Sequence, residues 1–494
     1  MHAWHTSLHA VAHPQSAEQL ARDITESTPF EAITGVTPLI DSIASTQEVS
    51  LSERIQMVFS IDEAAQMHAR SYIERFLALS GEAVSERRSL WTLARGYWAT
   101  VLDAYGELLS AVLNDPAVLA DQSVVAQIAV RTIRAGVLRS KWDAFGGAAM
   151  DHAGWACVNA AYALAIRAGA DRVPVRPRAD RTTETFAERE YMRAVALLSV
   201  GLNQLDPLRV EAATSLVHYI LPLLELSDTP SSTACYWVDA ALAMPPMRLL
   251  TAPSQLALPR YFSGAAAVMS LNKLLDMCAA GELPPGLPLQ VEGASRVLAS
   301  VLSRMVRVWT NEVPIRRHRR LPMASQMHVA EGLPKFVGKL LGELESPVVW
   351  QVSDASVQGL GVRVPAAAVT KLRVGSLIGF RPTDGDCWCV GAVRRIKRAS
   401  WCELSGHDQA VVGIEKLGTA PEAVIVDDGA QSQAALLLDP LQKGIPVRLV
   451  IPVPGPLAGQ VLYLLGGVKP VKLIPLETIE HGTDYVIRSY IQAA

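Results

Sequence analysis

The chain holds 494 residues, half of them hydrophobic, with a formal net charge of −3. That is material for two or three domains, each able to bury its own core, and it excludes a disordered polymer. A balance so near neutral gives no general basis for binding nucleic acid or an anionic membrane, so any basic site must be local.

Met1 is followed by Trp4 and scattered histidines, without the basic start and continuous apolar core of a secretory signal, which predicts a cytoplasmic location. His5, His9 and His13 stand at helical spacing, but a frayed terminus accounts for them without a metal. Residues 1–50 mix Pro, Ser, Thr and short apolar runs and read as a loosely packed lead-in. From Leu51 the pattern turns helical. Ser50 and Glu53 have capping-box spacing, and Ile55, Val58, Ala65, Ala69, Tyr72 and Phe76 recur largely on one face. Further helical periods cover 85–108 and 116–138. The loop with Arg172, Arg176, Arg178 and Arg181 around Pro174 and Pro177 reads as exposed. Thr185 with Glu188 suggests another capping box, and Asp206-Pro207 an N-cap and first-turn proline for a helix reaching about residue 226. Residues 233–250 alternate as an inserted hairpin would, and 261–280 and 292–309 restore the helical period. Apolar stretches such as 216–226, broken by His218 and Pro222, fall short of the roughly 20 residues that span a bilayer.

After Trp309 the texture changes to short apolar runs, many Val, and frequent Gly or Pro, the requirements of strands and turns. Candidate strands at 321–329, 348–352, 361–364, 377–381, 388–395 and 411–417 suggest a small barrel. A second set, 423–426, 434–438, 447–451, 461–465, 471–474 and 485–488, suggests another small β domain. The expected architecture is multidomain α+β: a lead-in over 1–50, an α-helical domain of paired helices over 51–310, a β-barrel over 311–418 and a second small β domain over 419–494.

Two short motifs carry the chemistry. Arg316-Arg317-His318-Arg319-Arg320 stands where helix gives way to strand, and Asp354-Ala355-Ser356-Val357-Gln358-Gly359 follows one strand later. This R-x-x-x-R, formed by Arg316 and Arg320, followed by D-x-S-x-x-G resembles the PilZ family of cyclic di-GMP receptors over about residues 313–418. The resemblance implies a six-stranded barrel that binds cyclic di-GMP as a ligand, with no cofactor or metal. Its site would comprise Arg316, Arg317, Arg320, Asp354, Ser356 and Gly359. Independently of the resemblance, two phosphates and two guanine edges call for planar, permanently charged donors, which arginine supplies and lysine does not. Asp354 is suited to accept from guanine N1–H and the N2 amine, Ser356 offers a short hydroxyl, and Gly359 permits a tight turn. Trp388, Trp401, Arg394 and Arg395 are candidates to stack on guanine.

No P-loop, dinucleotide-binding, metalloprotease or nucleophile-elbow motif occurs, which argues against an enzyme. Six Cys in so long a chain suit free thiols in a reducing compartment. Cys387, Cys389, Cys402 and His407 match no familiar zinc module. The expected partners are therefore cyclic di-GMP and a protein engaged by the helical domain, with no DNA or RNA. The alternative is a protein-interaction scaffold whose PilZ-like barrel senses no nucleotide.

Overall fold

The structure, a computed structural model, describes residues 14–79, 83–177, 184–250, 256–284, 293–310, 320–343, 348–369, 372–397, 409–457, 459–466 and 469–493. It divides into two compact units, Met1–Pro314 and Ile315–Ala494.

The first unit is built of helices. Residues 14–50 do not form the loose lead-in expected of them: helices Pro14–Glu26 and Pro29–Ser45 occupy this stretch, and Ile24, Ile33, Val36, Ile40 and Ile43 are buried. Thr28 and Glu31 close a capping box at the second of these helices, as Ser50 and Glu53 do for Leu51–Ala78. Helix Val84–Leu113 follows, then the single turn Pro116–Leu119 and helix Gln122–Phe145. Gln122–Phe145 is buried on nearly every face from Val125 onward, which makes it the axis of the unit. Val84–Leu113, His152–Arg167 and Ala187–Val200 pack around it. Gly136 allows the closest of these approaches, because a Cβ there would overlap the Val158 side chain.

Three further expectations need correction in this unit. Thr185 does not cap the helix that follows: its hydroxyl donates to Glu190 Oε1 at 3.0 Å, Phe186 is the N-cap without a side-chain bond, and Glu188 pairs with Arg172. The helix begun at Asp206-Pro207 ends at Ile220, where Pro222 converts the chain to a short 3-10 turn before strand β1 (Glu225–Ser227). The inserted hairpin is a larger object: β1, β2 (Tyr236–Asp239), β3 (Met247–Arg248) and β4 (Pro259–Ser263) form a sheet in the order β1-β4-β2-β3. Helices Ala265–Ala279 and Ala294–Trp309 complete the unit.

The second unit contains two closed antiparallel barrels of six strands each. β5 (Leu321–Glu331), β6 (Val348–Ser356), β7 (Gly359–Pro365), β8 (Leu377–Pro382), β9 (Cys389–Lys397) and β10 (Gln409–Thr419) close in the order β10-β7-β6-β5-β8-β9. Alternation fills the interior with Met327, Trp350, Val362, Val364, Ile378, Val393, Val412 and Ile414. β11 (Glu422–Asp427), β12 (Ser432–Leu437), β13 (Val447–Pro452), β14 (Leu462–Leu465), β15 (Val471–His481) and β16 (Tyr485–Gln492) close in the order β11-β12-β13-β16-β15-β14.

The barrels share a core. Leu377, Val390 and Ala392 of the first meet Leu436, Val450, Tyr485 and Ile487 of the second, with Phe336 from helix Leu333–Leu340 between them. Polar ties flank this contact: the Leu377 amide donates to Asp484 Oδ1 at 3.2 Å and the Thr483 amide to the Gly375 carbonyl oxygen at 2.9 Å. Among the described residues, no helix is long and apolar enough to cross a membrane.

Candidate functional site

The D-x-S-x-x-G motif forms the end of β6, a two-residue turn and the start of β7. Ser356 pairs with Gly359 in register and its hydroxyl donates to the Gly359 carbonyl oxygen at 3.1 Å, which closes the turn. Val357 at its tip is exposed. Gly359 is required by packing and not by the turn: its φ lies outside the left-handed region, but a Cβ would sit 2.6 Å from the Ile414 carbonyl oxygen on β10.

Asp354 faces outward because a bulge between Val352 and Asp354 absorbs Ser353, so the chain leaves the inward Val352 and delivers the carboxylate opposite Gly361. On its other side Asp354 stands opposite Pro322 of β5, which brings the chain just before β5 alongside it. There Arg320 donates from Nη1 to Asp354 Oδ1 at 2.6 Å. The last arginine of the basic run and the first residue of the second motif therefore meet as an ion pair about one-third exposed. Arg316, Arg317, His318 and Arg319 lie outside the described residues.

Sequence reasoning missed the ground on which this pair stands. Gly359, Gly361 and Arg363 alternate along the outer face of β7, and Gly361 is paired with Asp354 on one side and Gly413 of β10 on the other. Gly413 in turn faces Arg395 of β9, its own missing Cβ only 3.4 Å from the Arg395 Cβ. Asp354, Gly361, Gly413 and Arg395 thus run across three hydrogen-bonded strand pairs as a strip whose middle carries no side chain. A Cβ at Gly361 would overlap Asp354 Oδ2, so the carboxylate leans over that glycine. Beside the strip lies an open depression of about 650 Å³ edged by Pro322, Ser325, Gln351, Ser353 and Arg363. A glycine-floored surface with a carboxylate at one end and guanidinium groups nearby can accept a planar, hydrogen-bonding, anionic ligand.

The stacking candidates separate on geometry. Arg394 is committed, with Nε on Glu415 Oε2 at 2.6 Å and its two terminal nitrogens on the Glu480 carboxylate at 2.9 and 2.6 Å. Burial lowers its pKa, but the Glu480 and Glu415 carboxylates more than reverse this, so the guanidinium stays charged and held. Trp388 packs on Phe336 and beneath Arg381. Arg395 and Arg363 are exposed and make no hydrogen bond or ion pair among the described residues. Trp401 lies outside the described residues, as do Cys402 and His407; Cys387 and Cys389 are free thiols.

In the basic loop of the first unit, Arg172 pairs with Glu188 and Arg176 with Glu184, both arginines largely exposed, while Arg178 and Arg181 lie outside the described residues.

Residues 15–231 match the family model described as the N-terminal domain of the cyclic-di-GMP receptor FimW. The match falls on the helical unit and ends before the barrels, so it is independent of the two motifs. No curated protein matches the chain.

Proposed function

We propose that the chain is a cyclic di-GMP receptor of a bacterial cytoplasm, in which the first barrel is PilZ-like and the ligand lies on its outer face along the glycine strip. The observation that carries this reading is the 2.6 Å contact between Arg320 and Asp354, which joins the basic run to the carboxylate turn at the end of that strip. The match of residues 15–231 to a receptor family supports it from a separate part of the chain. One carboxylate has about four lone-pair sites, so Asp354 can hold Arg320 and still accept from guanine N1–H and the N2 amine. Arg320, with Arg316 and Arg317, supplies phosphate and guanine contacts. Arg395 closes the far end by lying over a purine face. The helical unit engages a protein partner, and the role assigned to the nucleotide is to bind, not to be turned over.

Isothermal titration of the full chain tests the reading. Saturable binding of cyclic di-GMP, not matched by cyclic di-AMP, is expected because the carboxylate and guanidinium partners are complementary to guanine edges. Equal affinity for both nucleotides, or no saturation by cyclic di-GMP, would overturn it.

The strip itself gives a sharper expectation. Gly361→Val places a branched side chain where Asp354 Oδ2 now lies, so the carboxylate must swing off the floor and the purine loses its flat seat. Loss of one bidentate contact of roughly 1–3 kcal/mol predicts a fall in affinity of about tenfold or more. An unchanged dissociation constant in a folded Gly361→Val protein would remove the ligand from this face.

A further inference from the structure

We propose that the helical unit carries a second ligand site, a cleft that binds a small solute through a phosphate or carboxylate group. The cleft has a volume of about 590 Å³ and is walled by helices Leu51–Ala78, Gln122–Phe145, Ala187–Val200 and Pro207–Ile220. That is ample for a metabolite-sized ligand, for which pockets run to roughly 300–1,000 Å³.

The lining charges decide what it would hold. Its carboxylates other than the exposed Glu74 are already answered: the buried Glu190 receives Thr185 at 3.0 Å and Arg193 at 3.3 Å with Arg134 at 3.9 Å, and the partly exposed Glu211 is paired with Lys141. Glu184, at the rim, pairs with Arg176 at 2.9 Å. Arg189 also lines the cleft, is only partly exposed, and has no ion-pair or hydrogen-bond partner among the described residues.

Unspent donors point the same way. The Arg193 Nε–H and the Trp98 indole Nε1–H are buried without a hydrogen-bond partner, and Trp98 is 4% exposed. Buried donors without acceptors are rare in folded proteins because each forfeits its hydration. A ligand rich in acceptor oxygens answers Arg189 and lies against the residues that carry these donors, whereas among the described residues a cation would find only the exposed Glu74 carboxylate without a partner. At His218 burial first, then Arg193, lower the pKa; Glu190 opposes them, and Arg189 and Arg134 add to the lowering.

Pyrophosphate and succinate, titrated separately into the full chain, distinguish a phosphate from a carboxylate ligand. At least one is expected to saturate a single site and to shift the His218 ring resonances. Arg189→Ala should weaken that ligand at least tenfold and Arg189→Glu should abolish it. Arg320→Ala, which removes an arginine of the barrel site, should leave it intact; this arm separates failure here from failure of the receptor reading. Saturation by neither probe, or a loss that follows Arg320 in place of Arg189, would overturn the second site.

Discussion

Arg320→Ala is expected to weaken cyclic di-GMP binding by about 10- to 100-fold while leaving the barrel folded. The affinity loss follows from one bidentate contact of roughly 1–3 kcal/mol, each 1.4 kcal/mol being a factor of ten. Folding is spared because the Arg320–Asp354 pair is about one-third exposed on both sides, and such pairs contribute only about 0–1 kcal/mol. Arg320→Lys keeps the charge but loses the planar fork, so it should recover little of the affinity. Asp354→Ala removes the guanine acceptor but also releases Arg320 toward a phosphate, so its loss should be the smaller. A double-mutant cycle over the two residues reads this coupling directly, and titration calorimetry with a melting curve for each variant is sufficient. Wild-type affinity in folded Arg320→Ala would detach the basic run from the ligand.

The same pair shows what the sequence could and could not disclose. Both barrels were legible strand by strand, because inward residues such as Val362 and Val364 around Arg363, or Val447 and Leu449 around Arg448, alternate with polar neighbours at period two. The meeting of Arg320 with Asp354 was legible only through a resemblance, since their separation of 34 positions carries no periodic signal. Gly361 was not legible at all. Its constraint comes from the Asp354 side chain leaning over it, a contact made by register and not by spacing. Arg394 and Arg395 could not be told apart because a bulge between Gly413 and Ile414 turns both outward, which breaks the alternation a reader would use.

In the helical unit one error has a local cause and another a tertiary one. Helix Pro29–Ser45 was hidden by Pro38 in its interior and by its Thr and Ser content, although Thr28 and Glu31 did carry the capping-box spacing that marks its start. Of the four-stranded sheet only the β2–β3 hairpin was legible, from the alternation within 233–250; β1 and β4 are three and five residues long, too short for a period to emerge. The sheet's existence depends on β1 and β4 being brought together across 31 intervening residues, which is a tertiary fact.

The largest effect on stability is expected at Asp62, deep in the helical unit and 2% exposed. Its carboxylate accepts from Tyr105 Oη at 2.7 Å, Tyr97 Oη at 3.1 Å and Gln66 Nε2 at 3.0 Å, with Arg131 Nη1 at 3.9 Å. Asp62→Ala strands two fully buried phenol hydroxyls and leaves the buried Arg131 guanidinium with Glu63 alone. Removing one partner from such a buried network costs about 3–5 kcal/mol, so the denaturant midpoint of the helical unit should fall sharply. Asp62→Asn keeps an acceptor oxygen for the phenols and loses only the charge, and should cost markedly less. Burial first, and the nearby Asp62 charge second, raise the pKa values of both phenols. A pKa raised in the folded state gives stability that is complete below the unfolded value of about 10 and is lost as the pH climbs beyond it, where unfolded tyrosines ionise and these two do not. The wild type should therefore lose stability steeply above that pH, and Asp62→Ala, with the carboxylate gone, less steeply. Parallel slopes would show that Asp62 is not what holds the two hydroxyls protonated.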